Sequence, residues 1–422
     1  MSTLWKSGSP LHPLFSEIQG CLDDDWFLFE HEVALQRAHG TVLHRAALLD
    51  DGQLDGLNAA LDDIESTFDR WEVPSSEAED IHTWIEGEIT ARCPEAGRRI
   101  HTARSRNDQV ATLLLLHLRA AGDELADSLD RLRARLVERV DDWADLEMPM
   151  QTHLQFAAPG SVGAWPLRYA TSLARLSRQL DFLRGEWAHW CPLGAGAVAG
   201  SSLPIDRSLQ AELLDFDEPW PSSLDATSSR DACLEMLAWC AQISLQLQAL
   251  AADGQVFAQT PFSFTHYPKA LATGSSMMPN KSNPDALELL RGEANAAAAA
   301  HVQATLILKG LPSGYQRDLQ CVKPLVRDVP ALVRDLLELA HAYVDALEFD
   351  AERVAAALAT GDVGATLRME ARVAAGQALR DAHHSEADGK QDDTPDSGAT
   401  AYVTHGSASP DAVRASARHV AP

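Results

Sequence analysis

A stripe of apolar residues between positions 107 and 146 is the feature that most limits what this chain can fold into. Its members are separated by seven, four and three residues, which is the spacing of one helix face. They are Leu118, Leu125, Leu129, Leu132, Leu136, Val140 and Trp143. A helix from about Asn107 to near Leu146 would be roughly 60 Å long, because each residue adds 1.5 Å. The stripe therefore predicts a bundle of long helices.

Four further stretches with helical spacing complete the predicted bundle. They cover about 160–187, 229–257, 284–309 and 328–345, with Gly, Pro and Ser between them. Shorter charged helices are expected before residue 104, and the polar run after about residue 385 is expected to be mobile. The sequence predicts an all-α fold with a small helical N-terminal domain (1–104), a central bundle of five long helices (105–350) and a small helical C-terminal domain with a polar tail (351–422).

The charge of the chain excludes two classes of partner. Its 35 basic and 61 acidic residues give a net charge of -26, which repels nucleic acid and anionic membrane surfaces. Only six of the basic residues are lysines, and this acid excess with few lysines indicates a salt-loving organism. A GC-rich genome also favours arginine, but it does not explain the surplus of Asp and Glu.

Cysteine usage and hydropathy predict a cytoplasmic protein with reduced thiols. The six cysteines form no C-x-x-C pair and no Cys/His group with zinc spacing. Neither a signal peptide nor an apolar run of 18 residues is apparent, so we expect no membrane span.

A flexible Gly/Ser loop occupies Thr273 to Asp285. One of the scarce lysines, Lys281, lies in it beside Asn283, at a predicted helix start whose free N–H groups and positive dipole end suit an anion. Such a loop can close over a ligand, whereas composition alone is equally typical of an ordinary linker.

Two other segments concentrate polar groups. His101 to Gln109 places two arginines, a serine and two amides at the entry of the long helix, where their donors would converge on carboxylates. A plain helix cap with solvated arginines is the alternative. His153 is expected in a constrained turn between helices, where it could transfer protons, although a lone His is more often structural.

A second Gly-rich connection, Lys309 to Lys323, carries Tyr315, Gln320 and another scarce lysine. Two patterns are set aside. Gly194, Gly196 and Gly200 have the wrong spacing for a dinucleotide fold. His82 and Glu86 are spaced like metal ligands, but a pair on one helix face is the better interpretation because no third ligand is apparent.

Taken together, these segments resemble the fumarase/aspartase superfamily. Its marker loop G-S-S-x-M-P-x-K-x-N matches Gly274 to Asn283. Three further motifs are similar to those of argininosuccinate lyases in particular, since fumarases and adenylosuccinate lyases carry different residues there. They are R-S-R-N-D (Arg104 to Asp108), T-H-L-Q (Thr152 to Gln155) and Y-x-x-D-x-Q-x-x-K (Tyr315 to Lys323).

Weaker matches extend the resemblance over most of the chain. They include Glu79 to Glu86, Leu193 to Ala197, Ile205 to Arg207, Ser223 to Ala226 and Ala365 to His384. The chain departs from the family where Trp5 to Gly8 replaces the usual W-G-G-R-F, and at Ser229, Gln316, Cys321 and Val322. These departures leave the main motifs intact but allow an altered substrate affinity.

The resemblance implies reversible splitting of argininosuccinate into arginine and fumarate, without cofactor or metal. It also implies a homotetramer whose sites are shared between subunits. Ser275 would be the base, supported by Lys281 and Asn283, and His153, supported by Glu288, would be the acid or a relay to it. The positions that would hold the substrate are His82, Ser105, Arg106, Asn107, Thr152, Arg230, Tyr315, Gln320 and Lys323.

Two alternatives stay open from the sequence. One is another fumarate-releasing lyase of the superfamily, of the adenylosuccinate lyase type, against which the R-S-R-N-D motif argues. The other is a structural relative that keeps the fold without turnover, against which the intact Ser275, His153 and Lys281 argue.

Overall fold

The computed structural model describes residues 12–69, 71–360, 362–388 and 398–422. Within these ranges helices predominate, and the six strands are two to seven residues long. The predicted all-α class is therefore confirmed. The sequence departure at Trp5 to Gly8 lies outside the described residues.

The α-helices of the described ranges are α1 Pro13–Gln19, α2 Leu22–Asp25, α3 Phe29–Arg45, α4 Asp51–Thr67, α5 Ile81–Arg92, α6 Pro94–Gly97, α7 Arg106–Trp143, α8 Ala164–His189, α9 Arg207–Leu213, α10 Ser223–Ser228, α11 Asp231–Ala258, α12 Asp285–Glu293, α13 Asn295–Leu308, α14 Lys323–Ala346, α15 Ala351–Thr360, α16 Ala365–Ala374, α17 Leu379–Ala387 and α18 Pro410–Ala417. The strands are β1 Glu147–Thr152, β2 Gln155–Ser161, β3 Trp190–Cys191, β4 Glu218–Pro219, β5 Thr273–Gly274 and β6 Ser282–Asn283. β1–β2 and β5–β6 are antiparallel pairs, and β3–β4 is a parallel pair.

Helix α7 confirms the long helix predicted from the apolar stripe. It has 38 residues, which corresponds to about 57 Å. Every residue of the stripe is buried. Because one face is apolar along the whole length, burial of that face rather than helix propensity stabilises so long an element.

The chain forms two compact units. Unit 1 comprises the described parts of Met1–Glu124, Leu180–Cys240 and Ala297–Ala331, and unit 2 comprises those of Leu125–Gln179, Ala241–Ala296 and Leu332–Pro422. The domain boundaries at 104 and 350 suggested by the sequence remain a prediction.

The N-terminal helices of unit 1 enclose an aromatic core. Trp26 and Trp84 meet edge to face with ring centroids 4.9 Å apart, and Phe29 stacks on Trp26 at 5.1 Å. Leu57, Ile85 and other fully buried aliphatic residues complete this core. It holds α5, which carries His82 and Glu86, against α3 and α4.

The side chain of His117 explains how α14 tolerates a proline in its interior. Pro330 has no N–H, so the carbonyl of Val326, four residues earlier, has no partner within the helix. His117 of α7 fills this place, with its Nε2 3.1 Å from the Val326 oxygen. Burial lowers the pKa of His117 to about 4, so the ring is neutral and Nε2 carries the donated proton.

The core of unit 2 combines aromatic rings with one carboxylate. The Asp253 side chain accepts hydrogen bonds from Trp165 Nε1 (3.0 Å) and Tyr169 Oη (2.6 Å). Trp165 also packs edge to face on Phe257, with ring centroids 5.6 Å apart. The indole N–H and the phenol hydroxyl thus share one partly buried carboxylate as acceptor.

Helix α18, near the end of the chain, packs against other parts of unit 2. Val413 and Ala417 of α18 are buried against Val140 and Ala144. The Ala399 N–H donates to Glu147 Oε1 at 2.9 Å, so the end of the polar run predicted to be mobile is ordered. Residues 389–397 of that run lie outside the described residues.

Three details of the sequence-based helix prediction are wrong. A β-hairpin, β1–β2, fills the interval in which only a turn between helices was expected. The predicted helix 284–309 is interrupted at Ala294, because the Asn295 side-chain amide donates to the Arg291 and Gly292 carbonyls (both 3.0 Å) that would otherwise continue the helix. Helix α14 begins at Lys323 and not near residue 328, since Pro324 fits the first helical turn.

Candidate active site

The candidate residues fall into two sets. All five proposed catalytic residues and Thr152 belong to unit 2, whereas the remaining proposed substrate-binding residues belong to unit 1.

In unit 2, the two-residue turn of the β1–β2 hairpin presents His153. Thr152 pairs with Gln155, so His153 and Leu154 form the whole loop. Both have positive φ, 55° for His153 and 59° for Leu154. Such a turn matches the twist of the strands, but it usually takes Asn or Gly because side chains are strained at positive φ. His153 is exposed, and strain retained at an exposed tip points to function.

The Gly/Ser loop is closed at its base by a short ladder. Gly274 of β5 pairs with Ser282 of β6, and the Thr273 hydroxyl donates to the Asp285 carboxylate. Helix α12 begins at Asp285 and has no side-chain N-cap bond. The segment between the paired strands, which carries Ser275 and Lys281, is therefore anchored at both ends.

Ser275 differs from its neighbour Ser276 in its hydrogen bonds. Its Oγ accepts from the backbone N–H groups of Met277 (3.3 Å) and Met278 (3.0 Å). Two N–H donors on one hydroxyl oxygen stabilise negative charge on that oxygen. Among the described residues, Ser276 makes no comparable side-chain bond, so of these two serines only Ser275 has N–H donors directed at its hydroxyl oxygen.

Within the described ranges, no hydrogen bond or ion pair joins His153 to Glu288 or to the Gly/Ser loop. Glu288 is exposed on α12, where its charge contributes to raising the pKa of Tyr267, after the larger effect of burial. The expected support of His153 by Glu288 stays a prediction.

In unit 1, the arginines at the entry of α7 are bound by acidic side chains of α5 and its N-cap. Arg106 Nη1 lies 3.1 Å from Glu86 Oε1, and its Nε lies 3.4 Å from Asp80 Oδ2. The buried Arg104 lies 3.5 Å from the same Glu86 oxygen. Both arginines are thus paired with acidic side chains of the protein. This arrangement matches neither of the two interpretations of the sequence, namely donors directed at a ligand or solvated arginines in a plain helix cap.

Glu86 is the centre of this network. Burial acts to raise its pKa, but the hydrogen bond from His101 and the guanidinium groups of Arg106 and Arg104 outweigh burial and lower the pKa to about 2. Glu86 is therefore ionised at neutral pH. The predicted pair of Glu86 with His82 on one helix face does not form.

His82 is held by a residue that the sequence did not single out. Its Nδ1 lies 2.8 Å from Oε2 of Glu32, a fully buried carboxylate that also accepts a 2.6 Å bond from Gln36 Nε2. The buried Nε2 of His82 has no hydrogen-bond partner in the structure. No group of three metal-ligating side chains occurs among the described residues.

Asp108 docks a glycine loop on the start of α7. Its carboxylate accepts from the N–H groups of Ser105 (2.9 Å), Gly194 (3.0 Å) and Gly196 (2.8 Å). Asn107 Nδ2 donates to the Ala197 carbonyl at 3.0 Å, so this amide is used within the protein. Burial raises the pKa of Asp108 to about 6 despite these donors. Gly194 and Gly196, whose spacing does not fit a nucleotide motif, thus hold their loop to the start of α7.

The second Gly-rich connection places Lys323 in a buried ion pair. Lys323 Nζ lies 2.6 Å from Asp25 Oδ1 and 3.9 Å from Cys21 Sγ. Burial disfavours the charged lysine, but Asp25 outweighs it, so the pKa of Lys323 is raised. Gln320 Nε2 donates weakly to the Gln19 carbonyl at 3.4 Å. Nothing in the sequence distinguishes Asp25 from the two aspartates before it, so its role required the structure.

Arg230 and Tyr315 are close enough to influence each other electrostatically. Arg230 is buried, and its hydrogen bond in the structure goes to the Ser229 carbonyl, at 2.6 Å from Nη1. Unlike Arg104 and Arg106, it has no acidic partner among the described residues.

Comparison with known proteins yields a consistent set of relatives. Residues 38–298 match a family model described as "Lyase". The chain is 37% identical over 382 residues to argininosuccinate lyase of Acidobacterium capsulatum, covering 89% of this chain and 78% of that protein. It is 38% identical over 374 residues to argininosuccinate lyase of Thermus thermophilus, covering 88% and 81%.

Solved structures agree with the fold. An EDDS lyase crystallised with formate superposes with a TM-score of 0.83 at 21% identity, covering 93% of this chain and 85% of that one. A class II fumarase from Schistosoma mansoni has a TM-score of 0.72 at 16% identity, covering 89% of each chain. The expected fumarase/aspartase-like fold is therefore confirmed.

Proposed function

This chain belongs to the argininosuccinate lyase family, and from that premise we propose that it catalyses the reversible elimination of fumarate from argininosuccinate, which leaves arginine. The reaction removes a proton from a carbon beside a carboxylate while a guanidinium nitrogen leaves. It therefore requires a base, an acid, and donors that stabilise the negative charge that develops.

The observation that carries the proposal is the pair of N–H groups on Ser275. A serine hydroxyl is a poor base unless its ionised form is stabilised. The bonds from Met277 and Met278 supply that stabilisation, and Lys281, on the same anchored loop, adds a positive charge. We assign Ser275 as the base and Lys281 with Asn283 as stabilisers of the intermediate.

His153 is assigned to the acid side of the reaction, as proton donor or relay. His153 is exposed on a strained hairpin tip, so its side chain is available to a substrate and does not serve the packing of unit 2. Glu288 would support its charge once the site is assembled. Thr152, beside it, would contact a substrate carboxylate.

The other substrate contacts are proposed for side chains of unit 1: His82, Ser105, Arg106, Asn107, Arg230, Tyr315, Gln320 and Lys323. The fixed position of Lys323 beside Asp25 and the unpartnered Nε2 of His82 support this assignment. Arg106 would contact a substrate carboxylate only if it exchanges Asp80 or Glu86 for it.

We further propose a homotetramer with shared sites. Val302 and Leu306, exposed by 56% and 64% on α13, and Leu154 and Met277, exposed by 68% and 87% beside the proposed catalytic groups, support burial against other subunits. Inactive His153→Asn and Ser275→Ala chains, unfolded and reassembled in equal amounts, would then regain about one quarter of native sites, because two independent chain choices must both be right. A mixture as inactive as its parents, beside a reactivated wild-type control, would contradict shared sites.

The setting proposed for the enzyme is the cytoplasm of a halophile, within arginine biosynthesis. The net charge of -26 and the free cysteines support this. Within the described ranges, no helix is long and apolar enough to cross a membrane.

The decisive test follows fumarate by its ultraviolet absorbance, with argininosuccinate as substrate in concentrated salt and without added metal or nucleotide. Ser275→Ala should lower turnover by a factor on the order of a hundred or more, because loss of the base acts on the transition state. Ser276→Ala, one residue away, is the matched control and should lose less. Equal losses would remove the assignment of Ser275, and no fumarate from the wild type would refute the function.

A further inference from the structure

A buried carboxylate that has no assigned role in the proposed elimination is directed at the ring of His82. Glu32, on α3, is fully buried, and its Oε2 lies 2.8 Å from His82 Nδ1. Its Oε1 accepts a hydrogen bond of 2.6 Å from Nε2 of the buried Gln36, one helical turn later. Both oxygens of Glu32 are thus held, and the carboxylate fixes the orientation of the ring.

Glu32 is ionised in spite of its burial. Burial acts to raise its pKa, but the charge of His82, the hydrogen bond to His82 and the guanidinium of Arg104 outweigh burial and lower the pKa. An ionised carboxylate can only accept hydrogen bonds, so Nδ1 of His82 carries a proton. The attraction acts in both directions, so Glu32 stabilises positive charge on the ring and offsets the cost of burying that charge.

The segments that pack around α5 carry further charged groups, which are held in ion pairs of their own. These pairs include Asp80–Arg106, Glu86–Arg106, Glu86–Arg104, Glu86–His101, Asp25–Lys323, Asp63–Arg92 and Glu95–Arg98. Burial lowers the pKa of His39, also on α3, well below its usual value, so His39 adds no charge. Among the described residues, only Glu32 forms an ion pair or a hydrogen bond with the His82 side chain.

The second ring nitrogen of His82, Nε2, is buried and has no hydrogen-bond partner among the described residues. A protonated Nε2 in this position needs an acceptor, and a carboxylate is the acceptor that a charged donor binds most strongly. We propose that Glu32 is a positioning residue, which supports a protonated His82 so that Nε2–H donates to a carboxylate of the bound ligand. The identity of that ligand rests on the proposed function, whereas the effect of Glu32 on the ring does not.

Nitrogen-15 NMR of protein labelled at its histidines observes the ring directly, and His82→Asn identifies the signals by their absence. In the wild type, the ring should lose its second proton from Nε2, while Nδ1 stays protonated. Glu32→Gln keeps an acceptor for Nδ1 but removes the charge, so its ring should lose the second proton at a pH about one to two units lower. Glu30→Gln, the same change at an exposed position of α3, is the matched control and should titrate as the wild type does. An unchanged titration in Glu32→Gln would overturn the proposal.

Fumarate binding, measured by equilibrium dialysis over a range of pH, tests the contact with the ligand. Near pH 7, Glu32→Gln should bind fumarate roughly tenfold more weakly than the wild type and Glu30→Gln, because the charge-assisted bond from Nε2–H is lost. The difference should shrink as the pH is lowered, because the ring then carries both protons in every variant. A structural role of Glu32 would weaken binding by the same factor at every pH, and that result would refute the positioning role.

The wild type alone decides if Glu32→Gln does not fold. Fumarate should then move the NMR signal of Nε2 more than that of Nδ1, and the opposite order, or loss of the proton from Nδ1 in the titration, would overturn the proposal.

The result is separable from the test of the elimination. An unchanged ring titration in Glu32→Gln would refute the role of Glu32 even if the wild type releases fumarate. A lower titration in Glu32→Gln, beside a wild type that neither binds nor releases fumarate, would uphold the effect of Glu32 on the ring and refute the proposed elimination.

Discussion

Replacing Asp25 by Asn tests whether the buried ion pair with Lys323 holds the second Gly-rich connection in place. The side chains of Lys323 and Asp25 are only 6% and 0% exposed. Removal of the carboxylate leaves an ammonium group buried without a counter-ion, which costs about 3–5 kcal/mol. Since about 1.4 kcal/mol corresponds to a factor of ten, local opening should become roughly 10²- to 4 × 10³-fold more frequent.

The chain supplies a matched control one residue away. Asp24 binds Arg327 at 3.0 Å, but these side chains are 47% and 31% exposed. Exposed pairs contribute about 0–1 kcal/mol, so Asp24→Asn, with the same change of charge, should increase opening less than about tenfold.

Hydrogen–deuterium exchange of peptides spanning 20–29 and 316–327, followed by mass spectrometry, measures both variants at one chain concentration. A local measurement suits this protein because its two units need not unfold in one step. Adding Lys323→Met to Asp25→Asn should restore much of the protection, since it removes the uncompensated charge. Similar exchange in Asp25→Asn and Asp24→Asn would refute the reasoning.

Three further outcomes follow from the structure. The pKa of Glu86 is lowered from 4.5 to about 2, so its carboxylate stabilises the fold above about pH 4.5 and loses this effect as the pH falls toward 2. In urea unfolding, Glu86→Gln should therefore cost roughly 3 kcal/mol at pH 7 and little near pH 2. Glu88→Gln, which breaks a more exposed ion pair, should cost under about 1 kcal/mol. Gly194→Ala would place a Cβ 2.4 Å from Gln210 Oε1 at a φ of 83°, whereas Gly310→Ala has a similar φ of 77° but open space around the Cβ. Gly194→Ala should therefore lower the melting temperature more than Gly310→Ala. Equal decreases in melting temperature would mean that the clash relaxes. The proposed tetramer, which brings together four chains of charge -26, should dissociate in dilute buffer, because the screening length shortens to about 3 Å only near 1 M salt. A tetramer that light scattering finds intact at low ionic strength would count against halophily.

The local sequence determined the long helix α7 of this protein. The stripe from Leu118 to Trp143 repeats every three to four residues, so the helix follows from its own spacing and the length of α7 could be predicted closely. The Gly/Ser loop was equally visible, because its composition excludes a continuous helix. Residue types and motifs also sufficed to identify the family.

The hairpin that presents His153 escaped prediction because short strands containing Pro149 and Pro159 give a weak alternating signal. The positive φ of His153 and Leu154 is likewise set by the pairing of β1 with β2 and not by the residue types, which disfavour it. Tertiary structure therefore decided how this side chain is displayed.

Partners distant in the chain were also decided only by the folded structure. Asp25 meets Lys323 across 298 positions, and His117 meets the Val326 carbonyl across 209. The sequence can reveal that a buried group needs a partner. Pro330, for example, has no N–H, so the Val326 carbonyl needs a donor from elsewhere. Which residue meets the requirement depends on how the helices pack, because a buried polar group bonds to whichever partner packing brings within reach.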